Sequence, residues 1–88
     1  MRGVLQQAID KYGAQMQLVI AMEEMAELQK ELSKAIRGNA DADHITEELA
    51  NVEIMLEQIK MIFGCWFAVE DWKKKKVERL AERLEGSD

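Results

Sequence analysis

The chain has 88 residues, no proline, one cysteine and one histidine, a length that allows a single domain (1–88) and excludes a Rossmann unit with a second domain, a TIM barrel or a kinase. Seventeen acids against twelve bases give a formal charge of −5, which argues against binding a nucleic-acid polymer. No apolar run reaches the roughly 20 residues of a membrane span.

Helix formers dominate, and glycines punctuate them at Gly13, Gly38 and Gly64, so the expected class is all-α. The pattern predicts a short helix at about 3–12 and a long one at about 14–37, with Leu18, Met22, Met25, Leu28, Leu32 and Ile36 as its apolar stripe. Gly38 suits the position just past a helix end. Residues 39–43 make a polar turn in which Asp41 or Asp43 can cap the next helix. That third helix, at about 42–63, has the cleanest stripe: Ile45, Leu49, Val52, Leu56, Ile59 and Phe63, spaced alternately by four and three. The last, at about 67–85, carries Val69, Val77, Leu80 and Leu84 on one side and the basic run Lys73 to Lys76, with Arg79 and Arg83 beyond it.

Two long helices joined by a short turn form an αα-hairpin, and such hairpins pair into four-helix bundles. A chain this short buries only about two-thirds of its unfolded surface. Disulfides, metals and oligomerisation are the usual supports. A lone Cys65 excludes an internal disulfide, and with one histidine it excludes a zinc finger. The expectation is therefore a helical hairpin with flanking helices, assembling as a homodimer or homotetramer, supported by a hard metal ion or by association alone. The single thiol and the absence of a secretory leader point to the cytoplasm.

Most of the acids, including Glu53, Glu57, Glu78, Glu82 and Glu85, read as the solvated face. Two groups do not. Glu24, Glu27 and Glu31 share one strip of the second helix, and Glu48 falls within the apolar arc of the third, between Val52 and Met55. A carboxylate there is costly unless it is paired or coordinates a cation. In an antiparallel hairpin Glu24 and Glu27 can face Glu48 and Asn51. Four hard oxygen donors suit Mg²⁺ or Mn²⁺ and not zinc.

These residues bring out a resemblance. "EEMAE" at 23–27, twenty intervening residues and "ELAN" at 48–51 are similar to the Glu-Glu-x-x-Glu and Glu-x-x-Asp motifs of the MazG-like nucleoside triphosphate pyrophosphohydrolases. The likeness extends over about residues 12–85. It implies Mg²⁺-dependent cleavage of an NTP or dNTP between the α- and β-phosphates, giving the monophosphate and pyrophosphate. It also implies metal ligands at Glu24, Glu27 and Glu48, with Asn51 where the family has Asp. Asn51 keeps a carbonyl oxygen but removes a charge, so the alternative is a weakened or inactive interaction module of the same fold. Glu23 or Glu47, beside the ligands, are candidates for the general base. Lys73, Lys76, Arg79 and Arg83 are candidates to grip the phosphates. For Trp66, Phe67 and Trp72, packing in the core or in a dimer is preferred over stacking on a base. Gln15 and Gln17 carry amides able to read a base edge. His44 reads as a surface residue at a helix start and Cys65 as a small buried hydrophobe.

Overall fold

A computed structural model describes residues 1–86. The chain is all-helical among these residues: α1 (Arg2–Tyr12), α2 (Ala14–Ile36), α3 (Ala42–Phe63) and α4 (Trp66–Gly86). The breaks fall where the sequence placed them. Gly38, at φ 88°, follows α2 in a left-handed conformation that its missing Cβ permits. There Gly38 N–H donates to Ala35 C=O (3.1 Å) and Asn39 N–H to Lys34 C=O (2.8 Å), a complete Schellman ending. Gly64, at φ 60°, also ends α3 in a left-handed conformation, with the Gly64 and Cys65 N–H groups both reaching Lys60 C=O. Asp41, not Asp43, caps α3: its Oδ1 accepts from His44 N–H at 3.1 Å.

The short turn folds α3 back antiparallel along α2, and α1 packs against both. The core is small: Leu5, Ala21, Val52 and Met55 are the buried apolar side chains. By contrast, α4 packs along none of the other helices. It is about 30 Å long and projects from the hairpin. The radius of gyration is therefore 16.3 Å, against about 12 Å for a compact chain of this length.

The buried faces overlap the apolar stripes only in part, with Val52 the buried member of the α3 stripe. On α2, Met22, Leu32 and Ile36 are exposed, while Gln17, Ala21 and Glu31 are buried. On α3, Leu49, Leu56 and Phe63 are exposed, while Val52, Met55 and Gln58 are buried. Phe67, Trp72, Val77, Leu80 and Leu84 leave α4 apolar and uncovered, Phe67 at 89 % exposure. Apolar periodicity marks surface that some neighbour can cover, and it does not say whether that neighbour lies in the same chain. No helix among the described residues is long and apolar enough to cross a membrane.

Candidate functional site

About three helical turns from the hairpin's closed end, α2 presents Glu24 and α3 presents Glu48 and Asn51. Glu24 and Glu48 are half-buried, and the Oε2 atom of each is buried with no hydrogen-bond partner. The Glu24 carboxyl is held above its ordinary pKa, first by burial and then by the charges of Glu48 and Glu27. The Asn51 amide pulls the other way, while side-chain contact with Glu48 raises it further. Both neighbours act on Glu24, yet their approach leaves Oε2 of each acid unpaired. Glu24 and Asn51 also line one cleft of about 250 Å³ with Ile20, Ile54 and Met55. Its floor is apolar, and its polar groups are one acid and one amide.

The four residues assigned to the cation thus converge unevenly. Glu24, Glu48 and Asn51 face one another, and Glu27 stands exposed at the rim, close enough to act on Glu24 by its charge. Among the described residues no three His, Cys, Asp or Glu side chains stand close enough to hold an ion as they are. The donor set nevertheless fits a hard cation. Two carboxylate oxygens are desolvated without partners, and a divalent ion relieves both that loss and the repulsion between the acids. Glu23 and Glu47 are exposed beside them, each one residue from a ligand candidate.

The basic candidates lie elsewhere. Lys76, Arg79 and Arg83 line a groove along α4 together with Glu82. Lys73 is separate from them. It pairs with Glu70 at 3.4 Å and faces a second cleft with Glu57 and Lys60. Within one chain α4 does not lie along the helices that carry the carboxylates, so this structure does not bring the two halves of the expected site together.

Several residues differ from their sequence reading. Glu57 is not solvated: its Oε2 accepts from Trp66 Nε1 at 3.1 Å, and the Arg2 guanidinium covers the Trp66 ring at 4.2 Å. Trp66 therefore fastens the start of α4 to α1 and α3. Trp72 is half-exposed and carries Lys75 and Lys76 near its ring, 5.1 and 5.7 Å from the centroid. Cys65 is half-buried and not fully enclosed. His44 is exposed, as expected of a helix start, but its Nδ1 lies 3.8 Å from Oε1 of buried Glu31 and 3.6 Å from Asp41. Glu31 was the least conspicuous acid of its strip, yet it is the most buried. Its one sequence signal is its place seven residues beyond Glu24, on the same face of α2.

No protein-family model, no curated protein and no solved structure matches this chain.

Proposed function

We propose that the chain is a Mg²⁺-dependent nucleotide pyrophosphohydrolase that cleaves an NTP or dNTP between its α- and β-phosphates. The observation that supports this most is the facing pair of orphaned carboxylate oxygens on Glu24 and Glu48. A solvated acid face does not leave such atoms buried and unpaired. The motif resemblance at 23–27 and 48–51 supplies the substrate class.

Glu24, Glu27 and Glu48 would hold the ion, with the Asn51 carbonyl as a fourth donor. When bound, Mg²⁺ neutralises phosphate charge and polarises the phosphoryl oxygens. The chain's own groups position and move protons. Glu23 or Glu47, exposed beside the ligands, accepts a proton from the attacking water. Lys76, Arg79 and Arg83 offer guanidinium and ammonium donors to the phosphate chain. A second copy completes this reading, as a homodimer or homotetramer. Leu49, Leu56 and Phe63, seven residues apart on α3, form an exposed apolar row, and pairing hairpins into a bundle would cover it. Sedimentation at micromolar concentration should show a species larger than one chain.

A specific observation also favours a second reading, a helical interaction module without turnover. Asn51 leaves the site one charge short, and α4 holds its basic residues apart from the acids in the single chain. Pyrophosphate release from a panel of NTPs and dNTPs, with Mg²⁺ and with EDTA, separates the two. Mg²⁺-dependent release of the monophosphate and pyrophosphate supports the enzyme. Mg²⁺ binding without release supports the module, and neither result leaves a helical oligomer with no site.

A further inference from the structure

The hairpin interface carries a polar repeat that the apolar stripes hide. On α2 it is Gln17, Glu24 and Glu31; on α3 it is His44, Asn51 and Gln58, both at steps of seven. The helices run antiparallel, so each step of seven along α2 meets a step of seven back along α3. Contacts fix the alignment at two levels. Glu31 faces His44 at 3.8 Å, and Glu24 shares its cleft with Asn51. The same register brings Gln17 level with Gln58. Gln17 and Glu31 are 5 % exposed and Gln58 is 3 % exposed, and Gln58 Oε1 has no partner.

Buried amides and acids in a helix interface stabilise less than apolar side chains of the same size. What they add is selection of register, because a slip of one turn opposes polar groups to apolar ones or to like charges. A slip of four residues in one direction sets Gln17 against Ile54 and Glu24 against Glu47. In the other direction it sets Gln17 against Ile62 and Glu31 against Glu48. A slip of seven keeps polar against polar but strands Gln58 or His44 beyond the end of α2. Only the observed register sets all six level with a polar residue of the facing helix.

We propose that the Gln17–Gln58 and Glu31–His44 levels are a register key: positioning residues that hold α2 and α3 in the one alignment that brings Glu24 level with Asn51 and beside Glu48. The part of this that concerns cation binding rests on the reading given under Proposed function. The key itself does not.

The test uses the full chain in a Cys65→Ser background, with nitroxide labels at exposed positions 15 on α2 and 46 on α3, diluted with unlabelled protein. The labels sit about 14 residues apart along the hairpin axis, so a slip of four changes their axial separation by about 6 Å. With the native seam, electron–electron double resonance should give one narrow distance. Gln17→Met/Gln58→Met should keep or raise the thermal midpoint, yet add a second distance displaced by about 6 Å. Its Mn²⁺ affinity, read by the free-ion resonance signal, should fall by at least about tenfold. Glu31→Gln/His44→Gln keeps that level polar and should retain the single distance. A Met/Met variant with one unchanged distance overturns the proposal. So does one that fails to fold, because the amides would then be needed for stability and not for choice of register. If the native chain binds no Mn²⁺, the cation reading fails while the distances still decide the key.

Discussion

The hairpin and α4 invert one another. Between α2 and α3, amides and acids are buried: Gln17, Glu31 and Gln58 are enclosed, and Glu24 and Glu48 each hide an oxygen. Along α4, apolar side chains are in the open, from Phe67 to Leu84, and no residue of that helix is buried. Both are amphipathic helices at the same period, so the difference is one of partners. In the hairpin each long helix lies along the other, and polar groups are enclosed between them. The last helix lies along none, and its apolar row stays uncovered in the single chain. Buried polar groups thus mark the helix pair that packs together, and exposed apolar ones mark the helix that packs along no other among the described residues.

The largest expected effect sharpens this contrast. Met55→Ala removes a buried side chain from the hairpin and should destabilise it by about 2–5 kcal/mol in urea titrations. Leu80→Ala on α4 should change the stability of the dilute chain by no more than about 0.5 kcal/mol. If chains associate through α4, the Leu80 variant should instead weaken association, seen as a shift in sedimentation with concentration.

Asn51→Asp bears on the inside of the hairpin. It replaces the amide that lowers the Glu24 pKa with a further negative charge. Without metal, stability at pH 7 should drop by on the order of 1–2 kcal/mol, read as a lower melting temperature. With Mg²⁺, calorimetry should show binding tighter by about tenfold. If neither changes, residue 51 lies outside the cation's reach. The same acids set the pH slope. Folded Glu24 holds its proton more tightly than the unfolded chain does. The Glu24 contribution to metal-free stability should therefore be fully present below the ordinary carboxylate range and be lost as pH rises through the raised value. Glu24→Gln should flatten that slope.

Much of this architecture was legible in the sequence. Gly38, Gly64 and Asp41 mark helix ends because left-handed backbone and capping oxygens are local requirements. Glu48 was identifiable because it sits within an apolar arc. Glu31 stood out only as a member of the Glu24–Glu27 strip, and Gln17 and Gln58 did not stand out as buried, since a single polar residue at a helical spacing looks like surface. Only the facing helix shows that they are enclosed. The apolar stripes were read correctly as amphipathic faces, but Leu49, Leu56, Phe63 and most of α4 are uncovered, because periodicity does not name the partner. Glu57 escaped notice because its partner, Trp66, lies nine residues away beyond the α3–α4 turn.

Two smaller effects bound the comparison. Asp41→Ala removes the α3 cap and should lower the melting temperature near neutral pH. Asp41 is held below its ordinary pKa, chiefly by the His44 N–H. Its contribution is thus present above the ordinary value and lost as pH falls through the lowered one. Glu70→Ala breaks an exposed ion pair with Lys73 on α4 and should change stability by about 0.5 kcal/mol or less.

Cation binding by the facing Glu24 and Glu48 is tested most directly by a Mg²⁺ titration of the melting temperature, native chain beside Glu48→Gln. The native midpoint should rise with Mg²⁺ by mass action. The Glu48→Gln chain should start higher, relieved of repulsion, and stay flat. An equal rise in both, or none in either, would contradict it.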